Sequence, residues 1–189
     1  AGAHAHSLPL LAVNDFQPDL DAIPADVATR ARLLVCGYPN NPTGAIAAPD
    51  LFTRLGAFGE RHDLVLCHDH AYAEIAFTDA QAPSALADAG FRSRGVEVLS
   101  LSKTFSVPGW RIAFAVGAPD AIATLRRLKT QVDAGMFPAL QRTAAWLLRS
   151  TDLDGPPVAV YRARRDLACA ALADIGMPVD PPARSEEHT

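Results

Sequence analysis

One lysine stands in a segment whose residue types could do covalent chemistry. The segment, Ser100-Leu-Ser-Lys103-Thr-Phe-Ser-Val-Pro-Gly-Trp-Arg111-Ile-Ala113, lies between two apolar runs. A lysine on a loop at the end of a strand can bind an aldehyde covalently if its amine is held partly desolvated and deprotonated. Arg111 adds an always-charged fork that suits a phosphate. A covalent amine beside a phosphate clamp indicates pyridoxal 5'-phosphate.

Apolar runs and helical patterns alternate along the middle of the chain and must position this segment. Short apolar runs predict strands at 33–36, 64–67, 96–101 and 112–116. A helix is predicted after the first strand, because Leu51, Leu55 and Phe58 fall on one face behind Pro49. Further helical patterns follow: a short piece near 84–88, a run from 119 to before Gly135, and runs at about 138–149 and 158–175.

The order of these elements predicts the fold class. Strands separated by helices imply right-handed crossovers and a parallel sheet covered on both faces. The link from Leu101 to Ile112 is too short for a parallel crossover, which needs a dozen or more residues. We therefore predict an α/β fold whose mostly parallel sheet has one antiparallel strand, with helices on both faces.

This topology would gather distant polar residues at one edge of the sheet. Asn41 follows the first strand, Asp69 the second, and Ser100 with Lys103 the third. Ligands of open parallel sheets bind outside the carboxyl ends of the strands. Arg111 precedes the antiparallel fourth strand, so it should return to the same edge. Ser100 and Arg111 would then fit the phosphate.

Each of the other residues can fill a binding or catalytic role that pyridoxal phosphate requires. Asp69 can place a carboxylate against the pyridine nitrogen, and keeping that nitrogen protonated makes the ring an electron sink. Asn41 and Tyr72 can donate hydrogen bonds to the phenolic oxygen of the ring. Lys103 would hold the cofactor and then, once displaced by the substrate amine, move a proton as general base.

The lysine segment also resembles the pyridoxal-phosphate attachment motif of the class I/II aminotransferases. That family shows two further motifs, Asn-Pro-x-Gly and Asp-x-Ala/Gly-Tyr, which Asn41-Pro-Thr-Gly44 and Asp69-His-Ala-Tyr72 match. The wider context is similar to the branch that contains LL-diaminopimelate aminotransferase and related aspartate and alanine aminotransferases. The segment departs from that branch at Phe105, Ser106 and Pro108.

The resemblance implies transfer of an amino group between an L-amino acid and a 2-oxo acid, with pyridoxal 5'-phosphate as cofactor and a homodimer as the working form. In the family, a phosphate loop, a stacking aromatic and a carboxylate-binding arginine come from segments that this chain does not supply. We therefore expect an internal fragment that is inactive alone. Residues 1–155 would be part of the cofactor-binding large domain, and 156–183 a connecting helix and the start of a small domain.

Other functions are compatible with the same motifs. A carbon-sulfur lyase or a synthase could use this scaffold, and so could the aminotransferase-like effector domain of a transcription regulator. The lysine segment could also be an ordinary solvated loop. Metal binding by His4 with His6, or by His68 with His70, is disfavoured because no third ligand stands at a recognisable spacing. We therefore expect no metal.

Composition limits the remaining classes. The 189 residues carry a formal net charge of -4, which gives no electrostatic footprint for nucleic acid. No apolar run approaches membrane-spanning length, and three widely spaced cysteines favour reduced thiols in the cytoplasm. Residues 184–189, Arg-Ser-Glu-Glu-His-Thr, continue no earlier pattern and can be back-translated to the start of a common sequencing adapter. We expect them to be a non-native tail.

Overall fold

A four-stranded mixed sheet organises the chain. The computed structural model describes residues 2–75, 77, 82–133, 135–150, 157–179 and 181. The strand order is β1-β2-β3-β4, with β1 to β3 parallel and β4 antiparallel to β3. The strands are β1 (Leu33–Gly37), β2 (Val65–Asp69), β3 (Gly95–Ser100) and β4 (Ala113–Gly117). The predicted α/β class, including the single antiparallel strand, is confirmed.

Seven α-helices accompany the sheet in the described part of the chain. They are α1 (Ala25–Arg30), α2 (Leu51–His62), α3 (Ala89–Arg94), α4 (Leu101–Thr104), α5 (Pro119–Val132), α6 (Pro138–Ser150) and α7 (Pro157–Asp174). The sequence predicted the start of α2 and both ends of α5, α6 and α7 to within about two residues, but it missed α1, α3 and α4. The tail at 184–189 lies outside the described residues. Within the part described, no helix combines the length and apolar character needed to cross a membrane.

The main core lies between one face of the sheet and helices α2 and α3. Leu51 and Leu55 of α2, Leu66 of β2 and Phe91 of α3 are each 0% exposed. Burying a side chain of this size contributes about 1.5–3 kcal/mol. A Cβ atom on Gly56 would stand 2.7 Å from the Phe91 backbone nitrogen, so only glycine lets the two helices approach this closely. This packing fixes β2 and the residues that follow it.

The opposite face of β1 and β2 remains accessible to water. Leu33, Val35 and Val65 are 55%, 61% and 41% exposed. Side chains alternate across a strand, and Leu33 pairs with Val65 in the ladder, so all three share one face. Sheets of parallel strands normally bury both faces. The described residues therefore leave an apolar sheet face without a covering layer.

A second, smaller core supports the lysine segment. Leu101 and Ile112 pack with Ala144 of α6, and all three are buried. Phe105 and Trp110, which belong to the lysine segment, are partly buried and pack against this cluster. Helix α6 thereby underlies the loop on both sides of Lys103. The apolar residues of this loop serve to anchor it, while its polar residues stay near the surface.

Candidate active site

The strand ends that carry the predicted residues lie in register at one edge of the sheet. Gly37 at the end of β1 pairs with Asp69 at the end of β2, and Asp69 pairs in turn with Val98 of β3. Ser100 at the end of β3 pairs with Ala113 at the start of β4. The structure therefore brings the four loops to the same edge, as the topology argument expected.

The loop after β1 is shaped by one asparagine and presents the next one. Asn40 donates its side-chain amide to the Gly37 carbonyl (3.2 Å) and accepts from the Thr43 hydroxyl (2.8 Å). Its backbone N–H bonds the Ala45 carbonyl at 2.9 Å. Gly44 closes the turn at φ +68°, a conformation that favours glycine. Asn41 is left exposed at the tip of this loop.

The turn after β2 faces that loop. Asp69 is exposed, and its Oδ1 accepts a hydrogen bond from the Ala71 N–H at 3.1 Å. The half-buried Tyr72 follows, and its phenolic oxygen accepts a hydrogen bond from Asn41 Nδ2 at 3.1 Å. The Lys103 amine lies 5.6 Å from the centre of the Tyr72 ring. Asn41, Tyr72 and Lys103 therefore form one continuous group.

Lys103 stands on the four-residue helix α4, whose geometry is set by its neighbours. Ser100 caps this helix, since its Oγ accepts a hydrogen bond from the Ser102 N–H at 3.1 Å. The buried Leu101 anchors it from below and bonds the Ile112 carbonyl through its N–H at 3.2 Å. Lys103 is half-buried beside this anchor. The Ser100 oxygen acts as acceptor in the cap, so its hydroxyl hydrogen can still be donated to a ligand.

Arg111 occupies a backbone conformation that residues other than glycine seldom adopt. Its φ is +54°, in the left-handed region, which costs of order 1–3 kcal/mol and persists where the surroundings fix it. One guanidinium nitrogen donates to the Pro108 carbonyl at 2.9 Å, and the side chain is exposed. An arginine has five N–H donors. The others can serve a ligand at the edge where Ser100 and Ala113 pair.

A buried polar cluster behind the strand ends was not found from the sequence. His68 (0% exposed) contacts Glu97 (3%) through Nδ1 and Oε2 at 3.0 Å. Its Nε2 lies 2.9 Å from the Tyr38 carbonyl, and His70 Nδ1 lies 2.9 Å from the same oxygen. The alternation of side chains along β2 turns His68 towards the core and leaves Asp69 exposed, and His70 is buried beside His68.

The same cluster bears on metal binding. Ligand atoms of His68, His70 and Glu97 all lie within 4.8 Å of one another. The sequence showed no third metal ligand beside the two histidines, and in the structure Glu97 of β3 takes that place. Each of these side chains, however, already makes the hydrogen bonds described above. Glu97 also accepts from the Ser84 hydroxyl and from the Ala85 N–H at 2.7 Å. We therefore interpret the cluster as a hydrogen-bonded network.

Comparison with known proteins decides the family. Residues 1–183 match the family model described as aminotransferase class I and II. The chain belongs to this family. The matched region contains all six predicted site residues, so the resemblance seen in three short motifs extends over nearly the whole chain.

Curated members of the family resemble the chain at the level of sequence. It is 44% identical over 183 residues to LL-diaminopimelate aminotransferase 2 of Trichormus variabilis, covering 96% of this chain and 47% of that protein. It is 44% identical over 186 residues to LL-diaminopimelate aminotransferase of Dehalococcoides mccartyi, covering 98% and 48%. The chain thus spans about half the length of the curated relatives it matches.

Solved structures of the family share the fold. Apo-BacF from Bacillus subtilis superposes with a TM-score of 0.86 at 33% identity, covering 95% of this chain and 46% of that one. N-succinyldiaminopimelate aminotransferase from Mycobacterium tuberculosis gives a TM-score of 0.81 at 28% identity, with 90% and 44% covered. Both structures share the arrangement of β1 to β4, and the protein from Mycobacterium tuberculosis is named an aminotransferase.

Proposed function

We propose that this chain carries the lysine-bearing half of a pyridoxal 5'-phosphate-dependent aminotransferase active site. The reaction is transfer of an amino group between an L-amino acid and a 2-oxo acid. The observation that supports this most strongly is the group formed by Lys103, Tyr72 and Asn41, which come from three separate loops. Family membership supplies the chemistry with which this group is consistent.

The residues present fit the chemistry of the cofactor. Asp69 offers a carboxylate to the pyridine nitrogen, and the bonded pair Asn41 and Tyr72 offers donors to the phenolic oxygen. Ser100 keeps a hydroxyl hydrogen, and Arg111 keeps most of its N–H groups, for the phosphate. An arginine fork matches a phosphate geometrically as well as in charge. These assignments agree with those that the motifs suggested.

Lys103 and Asp69 would have different roles in the reaction. When bound, pyridoxal 5'-phosphate supplies an electron sink for the negative charge that develops at the substrate's α-carbon. Lys103 Nζ would hold the cofactor covalently, and after release from it the Lys103 amine would accept the substrate's α-carbon proton as general base and return it later. Asp69, as a carboxylate, stabilises a proton on the pyridine nitrogen.

The amino donor is proposed from the names of the relatives. Several relatives at about 40% identity are named LL-diaminopimelate aminotransferases. We therefore propose LL-diaminopimelate as the first donor to test, followed by N-succinyldiaminopimelate, aspartate and methionine, which occur in the names of structural neighbours. The geometry of Lys103, Tyr72 and Asn41 supports the class of reaction, and the relatives' names set the order of donors.

Three further expectations remain proposals. Residues 1–155 would form part of the cofactor-binding domain, and 156–183 a connecting helix with the start of a second domain. A homodimer in the cytoplasm would be the working form, and the 189-residue chain alone would be inactive. The exposure of Asn41, Asp69 and Arg111 supports this last point, because a site open to water binds a small ligand weakly.

The proposal is tested on the protein expressed from its complete gene. We expect amino transfer from at least one of the four donors to a panel of 2-oxo acids, detected as the new amino acid by chromatography. This chain has two lysines, Lys103 and Lys129, so Lys103→Ala should abolish transfer while Lys129→Ala retains it. Thiol release from cystathionine without amino transfer would favour the lyase. Absence of any reaction, with binding to a DNA operator, would favour the regulator.

A further inference from the structure

The buried network behind the strand ends is joined directly to the loop that presents Asn41. Tyr38 is the first residue after β1 and stands three positions before Asn41. Its ring is buried and its hydroxyl donates to the Phe16 carbonyl at 2.6 Å. Its carbonyl faces both histidines that flank Asp69. A single backbone oxygen therefore connects the loop after β1 to the end of β2.

The hydrogen bonds around Glu97 favour an ionised carboxylate. Its two oxygens face the Ser84 hydroxyl, the Ala85 N–H and His68 Nδ1. Burial raises the pKa of Glu97, but the hydrogen bond from His68, the charge of His70 and the Ala85 N–H outweigh it, so the pKa lies below its ordinary value. An ionised carboxylate only accepts hydrogen bonds. His68 Nδ1 must therefore carry a proton.

The other ring nitrogen of His68 also faces an oxygen. Its Nε2 is 2.9 Å from the Tyr38 carbonyl and 3.3 Å from the Tyr38 N–H nitrogen. Both contacts join the ring to the Tyr38 backbone, where the loop after β1 begins. The His68 ring also packs beside that of His70.

We propose that His68 is a positioning residue for the candidate active site: hydrogen-bonded to Glu97, it holds the Tyr38 backbone and thereby the loop that carries the site's asparagine. The inference rests on the proposed function only for its consequence, which is cofactor affinity. Removing His68 would leave the buried Glu97 carboxylate without one of its partners. The loop after β1 would then lose the His68 contact at Tyr38 and keep only that of His70.

The first experiment measures NMR signals of the His68 ring and of Asn41 in the loop after β1, without any cofactor. In nitrogen-15 NMR spectra of the protein from its complete gene at pH 7, His68 Nδ1 should carry a proton. In His68→Asn, the side-chain amide signal of Asn41 should shift. Phe58→Leu is the control, because it alters the core near the end of α2 and the amino ends of the strands. In this variant the Asn41 signal should be unchanged. A His68 Nδ1 without a proton, or an unchanged Asn41 signal in His68→Asn, would overturn the inference.

The second experiment separates positioning from mere stabilisation. The dissociation constant for pyridoxal 5'-phosphate should rise about tenfold in His68→Asn and in Glu97→Gln, and stay within about twofold in Phe58→Leu, all compared at a temperature where each variant is folded. Equal affinity in all three variants would contradict the positioning role. If the unchanged protein fails to bind the cofactor, the proposed function fails, while the NMR result still decides the inference. If His68→Asn does not fold, Glu97→Gln gives both readouts.

Discussion

The side-chain amide of Asn41 donates a 3.1 Å hydrogen bond to the phenolic oxygen of Tyr72, joining residues 31 positions apart in the chain. The parallel register of β1 and β2 brings them together, because Gly37 and Asp69 end their strands side by side. Lys103 then completes the group, with its amine 5.6 Å from the centre of the Tyr72 ring. This relationship is the part of the candidate site that the structure defines most directly.

Breaking this bond should weaken cofactor binding, and the effects of changing Asn41 and Tyr72 should not be additive. A single hydrogen bond contributes about 0.5–1.5 kcal/mol, so Asn41→Ala and Tyr72→Phe should each weaken pyridoxal 5'-phosphate binding by roughly threefold to tenfold. The double variant should lose less than the sum of the two, since each change already removes the shared contact. Absorbance titration of the four proteins measures the cycle. Strictly additive losses would mean that the two residues act separately.

Arg111 should recognise the phosphate rather than the ring. Lysine keeps the positive charge but lacks the fork, so Arg111→Lys should weaken binding of pyridoxal 5'-phosphate by roughly tenfold. Binding of pyridoxal, which has no phosphate, should change little. Arg127→Lys on the exposed surface of α5 is the matched control. An equal loss for both ligands would place Arg111 away from the phosphate.

The elements with strong local signals were predictable from the sequence. The spacing of Leu51, Leu55 and Phe58 indicated α2, whose buried face contains all three. The short link between Leu101 and Ile112 indicated the antiparallel β4. Because strand ends share one edge in such a sheet, the convergence of the site loops followed from these elements alone.

Features that depend on tertiary contacts were not predictable. Helix α3 has one apolar buried residue, Phe91, and depends on Asp88, whose carboxylate caps the Phe91 N–H at 2.8 Å. The pairing of His68 with Glu97 spans 29 residues and follows from the register of β2 against β3. Neither feature leaves a periodic pattern that a single sequence could reveal.

Glu97 should make stability depend on pH at the acid end. Folding lowers its pKa from the ordinary value of 4.5, since hydrogen bonds and the nearby histidines outweigh burial. An acid of this kind stabilises the folded state above its unfolded pKa, and the contribution is lost as pH falls through the folded pKa. The free energy of unfolding should therefore drop below about pH 4.5. Glu97→Gln should flatten that drop in urea titrations, and an unchanged acid slope would contradict the assignment.

Cys36 should be unreactive in the folded protein. Burial raises the pKa of its thiol to about 12, so at pH 8 only about one molecule in ten thousand carries the reactive thiolate. Cys67 also has a raised pKa, mainly through burial. Alkylation with iodoacetamide, followed by mass spectrometry, should label both only after unfolding in guanidinium. Rapid native labelling of Cys36 would show that β1 is more open than its burial indicates.

The central claim is that Lys103 holds the cofactor, and covalent trapping tests it most directly. The protein from its complete gene is incubated with pyridoxal 5'-phosphate, reduced with borohydride and digested with trypsin. Trapping at Lys103 should block cleavage there and give a labelled peptide spanning 95–111, while Lys129 stays unlabelled. Label on any other residue, or none on Lys103 at saturating cofactor, would contradict the account.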